Sequence, residues 1–154
     1  LPRVGLVVVG DGPERSSLEA LARKLGAMNR VCFVGQVPRA RVGAYLRACD
    51  LFVLNSRYEG LPHVTLEAIA AGLPVVAARA GGTDEVIQDG VSGRLVTPGD
   101  KDGLRRAISE LLEDPDLCAR YTTNKLEILR RFSSETMINA TEQVLKESKE
   151  RTPA

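Results

Sequence analysis

The chain has 154 residues, 44% of them hydrophobic, with 21 basic and 20 acidic side chains for a net charge of +1. That length suffices to bury a proper core, roughly two-thirds of the unfolded surface. The near balance of charge argues against a polyanion or an anionic membrane surface as partner, and 4% aromatics with no Trp argues against stacking on single-stranded nucleic acid.

Short apolar runs rich in Val and Leu, without clean alternation, recur at 4–9, 31–34, 51–54, 75–78 and 94–97. Such runs suit strands of a parallel sheet buried on both faces. Helix-like segments separate them at 15–25, 39–47 and 63–71, with a short one starting near Thr83. The spacing predicts an α/β, Rossmann-like three-layer fold, with about five to six parallel strands, right-handed crossovers and helices on both faces. After Asp100, a plausible N-cap, extra C-terminal helices are predicted over 101–113, 115–131 and 134–149. The last carries Met137, Ile138, Val144 and Leu145 on one stripe, read as an ordinary packed helix in its first turns. The charged tail from Lys146 onward is read as fraying, with 150–154 disordered after a single domain over 1–149.

Cys32, Cys49 and Cys118 are widely spaced, with no C-x-x-C, so reduced thiols, a reducing compartment and no metal site are expected. The longest mostly apolar run, 68–78, is broken by Gly72 and Pro74 and is too short to cross a bilayer. The N-terminal LPRVGLVVVG reads as a strand rather than a signal peptide, beginning abruptly as if cut from something longer.

In open α/β sheets ligands sit outside the carboxyl ends of the strands, where Gly10 to Gly12, Gly35, Ser56 to Leu61 and Arg79 to Gly82 fall. Gly10 and Gly12 follow a strand, but a dinucleotide fingerprint needs a third glycine where Arg15 stands, and no acid closes the second strand. Gly81 and Gly82 mark either a tight turn or a place where backbone N–H groups meet a phosphate or sugar. Glu59 and Glu67, with seven residues between them, bracket the start of a helix predicted to carry Pro62 at its first position. Glu67 then lies about one turn in, roughly 5–7 Å along the axis. A helix N-terminus favours a phosphate, and carboxylates on either side of it would accept hydroxyls from a ribose and a hexose. The plainer alternative is a solvated Glu59 and a Glu67 that complements the helix dipole. His63, the only histidine, stands at the same helix start, and Arg57 and Arg79 are the nearest cations.

In order, the chain carries VVVGDGP (7–13), VCFVGQVP (31–38), ACDLFVLNSRYEGLP (48–62), LEAIAAGLPVVA (66–77), AGGTDEVI (80–87) and DGVSGRLVTPGD (89–100). Together these resemble the C-terminal, donor-binding domain of the group 1 (family 4) retaining glycosyltransferases of the GT-B fold. The resemblance implies that Glu59 acts near the donor sugar and the transferring centre, while Glu67 holds the ribose. It implies that amides around Gly60, Leu61, Pro62, His63 and Val64 meet the diphosphate or sugar, and that the Val34 to Val37 turn, with Gly35 and Gln36, lies beside the base. Gly10, Gly12, Gly81 and Gly82 join the substrate-binding set. No cofactor or metal is implied. The partners implied are a nucleoside diphosphate sugar and an N-terminal acceptor-binding domain absent from this sequence, as are the family's phosphate-binding Arg and Lys. The implied protein is cytoplasmic, peripheral to the membrane at most, and this chain alone is inactive. A non-catalytic nucleotide or nucleotide-sugar binding module is the alternative.

Overall fold

The computed structural model describes residues 4–150. The chain divides into two compact units, Leu1–Ala48 and Cys49–Ala154.

The first unit runs β1 (Leu6–Val9), α1 (Arg15–Lys24), a 3₁₀ turn (Met28–Arg30), β2 (Val31–Gly35) and α2 (Arg39–Arg47). Parallel strands cannot be joined by a tight turn, and α1 supplies the crossover between β1 and β2. The register runs from Leu6 opposite Val31 to Val8 opposite Phe33, then skips, so that Val9 faces Gly35 and Val34 is left over as a bulge. The 4–9 run reads as a strand covered on both faces, yet Leu6, Val7 and Val9 are 54%, 41% and 40% exposed. The reason is the number of partners. β1 has only β2 beside it in this unit, and a two-stranded ladder covers little of itself.

The second unit contains β3 (Phe52–Leu54), α3 (His63–Ala70), β4 (Val75–Ala78), α4 (Thr83–Val86) and β5 (Arg94–Val96). Helices α5 (Lys101–Glu113), α6 (Pro115–Thr122), α7 (Lys125–Arg131) and α8 (Ser134–Glu150) follow. The strands are parallel in the order β3-β4-β5. Val75, Val76 and Ala77 are fully buried and Ala78 is 1% exposed. Successive strand residues point to opposite faces, so both faces of this sheet are covered. On one face Val76 joins Val96, Ala107, Leu111, Leu117 and Tyr121 in a single apolar cluster. Helix α3 lies against β3 and β4, and α5 against β4 and β5. The α/β class with parallel strands is therefore as read, but the five strands form two sheets rather than one.

Helix α5 is capped by the Asp100 carboxylate, which accepts from the Gly103 N–H at 2.8 Å, and α6 by Asp114, which accepts from Leu117 N–H at 2.9 Å. The single helix predicted over 115–131 is two. Thr122 Oγ1 donates to the Ala119 carbonyl at 3.0 Å, Thr123 Oγ1 to the same carbonyl at 3.0 Å, and Asn124 then stands at the N-cap position of α7 without a side-chain capping bond. Hydroxyls that bond back to helix carbonyls favour bending and termination over continuation. Helix α8 forms where its pattern predicts and continues through Glu150, past the point where fraying was expected. Residues 151–154 of the expected disordered tail lie outside the described residues. Its stripe is not packed: Met137, Ile138, Val144 and Leu145 are between 52% and 64% exposed. Among the described residues no helix is long and apolar enough to cross a membrane.

All three cysteines are free. Cys118 Sγ donates to the Leu111 carbonyl at 2.9 Å. Burial, and then the Asp114 carboxylate, push its thiol above the ordinary value. Burial does the same to the Tyr121 phenol, with Arg94 opposing.

Candidate functional site

In the second unit the loop from Asn55 to Pro62 leaves the carboxyl end of β3 and enters α3. Pro62 stands one place earlier than predicted, at the N-cap, and His63 is the first helical residue. The His63 N–H bonds back to the Leu61 carbonyl at 2.9 Å and Thr65 N–H to the Pro62 carbonyl at 2.9 Å, while the Val64 amide takes no acceptor among the described residues. That is the open donor a helix start offers an anion. Glu67 lies four residues beyond His63, one turn along, and is half-buried, as is Glu59 in the loop. His63 and Leu61 are exposed and Pro62 is buried.

What holds the Glu59 loop is the turn after β4. Gly82 N–H is shared between the Glu59 carbonyl at 3.1 Å and the Gly60 carbonyl at 3.0 Å. Gly81 has φ +56°, and a Cβ built there would overlap the Glu59 carbonyl oxygen, while a Cβ on Gly82 would overlap that of Gly60. The close approach that paired glycines allow is thus made to the protein's own backbone, and the Gly82 N–H is already engaged. Thr83 fixes the same turn, with Oγ1 accepting from Ala80 N–H and donating to the Ala78 carbonyl, both at 2.9 Å. The structure brings Glu59, Gly60, Gly81 and Gly82 together at the carboxyl ends of β3 and β4, where the sequence places them.

The two cations near this loop have different surroundings. Arg79 pairs with Asp84 at 3.0 Å and Asp89 at 3.8 Å, and Asp89 also meets Arg94, which reaches Glu110 at 2.9 Å. Arg79 is committed to this chain of ion pairs. Arg57, with Lys101, lines a cavity of ≈150 Å³ between the loop after β3 and the start of α5, whose other walls are Asn55, Ser56, Gly99, Asp100 and Leu104. Neither Glu59 nor Glu67 borders it.

Sequence reading missed Thr65, which is fully buried on α3 with its Oγ1 finding no partner among the described residues. A buried hydroxyl without a partner costs about 1–3 kcal/mol in lost hydration. Thr65→Val, which keeps the shape and removes the hydroxyl, is expected to raise unfolding stability by about that much. A urea titration checks it, and an unchanged midpoint would show that the hydroxyl finds a partner in solution.

In the first unit Gly10 and Gly35 meet at the carboxyl ends of β1 and β2, and Gly12 follows two residues after Gly10. Gly10 N–H donates to the Gly35 carbonyl at 2.9 Å, and Gly12 N–H to Asp11 Oδ1 at 2.9 Å. Gly35 is buried with φ +80°, and the exposed Gln36 follows it.

The family model of the group 1 glycosyl transferases matches residues 1–127. The chain belongs to the group 1 glycosyltransferases. It is 40% identical over 146 residues to a lipopolysaccharide core biosynthesis glycosyltransferase, LpsE, of Rhizobium meliloti, a match covering 94% of this chain and 42% of that protein. It is 37% identical over 122 residues to a GDP-mannose-dependent phosphatidylinositol monomannoside mannosyltransferase of Mycolicibacterium smegmatis, covering 75% of this chain and 32% of the relative. Among solved structures, HepE of Anabaena in complex with UDP-glucose aligns with a TM-score of 0.85 at 34% identity, over 96% of this chain and 42% of that one. This group 1 chain thus spans about two-fifths or less of the length of these relatives. Its architecture is the Rossmann-like one of GT-B domains.

Proposed function

We propose that this chain is the donor-binding part of a retaining glycosyltransferase, which moves a sugar from a nucleoside diphosphate sugar to a hydroxyl acceptor. The observation that carries the reading is the braced Glu59–Gly60 loop at the open N-terminus of α3, with Glu67 one turn along, in a group 1 chain. Glu59 faces the donor sugar and the charge developing at its anomeric carbon. Amides from Gly60, Leu61 and Val64 meet the diphosphate, with the exposed His63 side chain beside them, and donors aimed at the departing oxygens stabilise the leaving group. Glu67 accepts the ribose hydroxyls. The Gly35–Gln36 turn reads the base, and Gly10 and Gly12 leave room for the ligand beside it. Gly81 and Gly82 act by holding Glu59 and Gly60 in place. The structure of HepE with UDP-glucose supports a nucleotide-sugar ligand of this kind.

The test is calorimetric titration of this chain with UDP, GDP and ADP and their hexose conjugates, alongside Glu67→Ala. One nucleotide series should bind, and Glu67→Ala should weaken it about 10- to 100-fold, the worth of hydrogen bonds to a charged acceptor. Binding that survives unchanged in Glu67→Ala would remove the ribose assignment. Donor binding without transfer, once an acceptor-binding domain is supplied, would identify a non-catalytic module instead.

A further inference from the structure

Arg15, which in the sequence only breaks a dinucleotide fingerprint, joins three segments of the first unit. Its guanidinium donates from Nη2 to the Phe33 carbonyl at 3.2 Å and from Nε to Glu19 at 3.0 Å, and its Nη1 lies 3.5 Å from the Asp11 carboxylate. Its own backbone N–H bonds to the Gly12 carbonyl at 3.1 Å. A Cβ on Gly35 would sit 2.9 Å from Arg15 Nη1, so the guanidinium fills the space that a side chain at position 35 would take. Where a dinucleotide fold keeps a glycine for close packing, this chain places a cationic strut between the ends of β1 and β2. Only a planar fork can satisfy acceptors on three sides in this way.

The strut bears on an irregular strand end. Val34 is the bulged residue of β2, Gly35 has φ +80°, and Gly10, with φ +125°, bonds to the Gly35 carbonyl. Bulges re-aim a strand end and recur beside functional sites. Here the bulge turns the chain out of the ladder at Gly35 and presents Gln36, whose amide both donates and accepts, at the carboxyl edge where α/β sheets take ligands. An unbraced bulge would leave the amide free to wander.

We propose that Arg15 is a positioning residue for base recognition: by bracing Phe33 and the Gly10–Gly12 loop, it fixes the Gly35–Gln36 turn against which the nucleobase is read. This rests on the proposed donor site, and specifically on the turn lying beside the base. Arg15 itself makes no contact with the ligand. Its effect is confined to the part of the affinity that the base supplies.

The experiment compares, by calorimetry, whichever of UDP, GDP and ADP the chain binds best with ribose 5-diphosphate, which lacks a base. Arg15→Lys keeps the charge and loses the fork. It is expected to cut the nucleotide's margin over ribose 5-diphosphate about tenfold, with the baseless ligand binding as before. Gln36→Ala, at an exposed position, should remove the same margin, and Arg15→Lys with Gln36→Ala should lose no more than Gln36→Ala alone, because one residue acts through the other. If Arg15→Lys weakens both ligands equally, or leaves the margin intact, or adds to Gln36→Ala independently, the proposal fails while the donor site stands. If the unmodified chain binds ribose 5-diphosphate as tightly as any nucleotide, the base assignment of the turn fails and takes the proposal with it. Should Arg15→Lys not fold, a Gln36→Ala variant that keeps the full margin overturns the proposal, and one that loses it supports the turn Arg15 braces.

Discussion

Gly81→Ala is expected to lower unfolding stability by about 2–5 kcal/mol and to abolish donor binding. Two costs add. An L residue in the left-handed region costs about 1–2 kcal/mol, and Gly81 stands at φ +56°. The larger cost is steric, because the new methyl would overlap the Glu59 carbonyl oxygen and lie 2.9 Å from its carbon. A backbone carbonyl cannot rotate aside as a flexible side-chain tip can, so the loop carrying Glu59 and Gly60 must move, and overpacking of this kind costs about 1–3 kcal/mol. Gly90→Ala provides the control. Gly90 has φ +75° with nothing within 4 Å of an added Cβ, so alanine there bears the conformational cost alone. The difference between the two urea midpoints isolates the steric part. If Gly81→Ala proves no worse than Gly90→Ala, the turn after β4 does not brace the Glu59 loop, and the role given to the paired glycines is withdrawn.

The features that sequence made legible are those set by local chemistry. Glu59 in a loop and Glu67 on a helix follow from Pro62 between them, and the structure moves that boundary by a single residue. The Asp100 cap and the start of α5 were legible for the same reason. Features set by what packs against an element were not. β1 and β4 are equally apolar in sequence, yet β4 is buried because it lies between β3 and β5, while β1 has one neighbour in its unit and stays exposed. The stripe on α8 has helical spacing whether or not anything covers it, so its exposure could not be read from its pattern. Paired glycines announce a close approach without saying to what, and here the partner is a carbonyl more than twenty residues earlier in the chain. Arg15 left a faint trace: it stands four residues after Asp11 and four before Glu19, the spacing of helical ion pairs, both of which form. Its bond to Phe33 has no such local mark.

The two carboxylates should separate when each is replaced by its isosteric amide in a full-length transferase. Glu59 lies on a loop whose carbonyls at 59 and 60 are both held by the Gly82 N–H, so its backbone is fixed before any ligand arrives. A fixed carboxylate beside an anomeric carbon stabilises positive charge as it develops, and that interaction is stronger in the transition state than in the bound donor. Glu59→Gln is therefore expected to lower kcat by about 10²- to 10³-fold, the cost of removing one preorganised electrostatic partner, while nucleotide affinity is unchanged. Glu67 stands on α3, one turn from its start, and in the proposed site it meets hydroxyls that do not react. Its interaction is the same in ground and transition states, so Glu67→Gln should raise the donor KM about tenfold or more and leave kcat intact at saturating donor. Steady-state kinetics with the donor varied at fixed acceptor measures both. The contrast is the decisive part: if Glu59→Gln shifts KM alone, its carboxylate only binds, and if Glu67→Gln lowers kcat at saturation, the second carboxylate shares the chemistry and the division of roles is wrong.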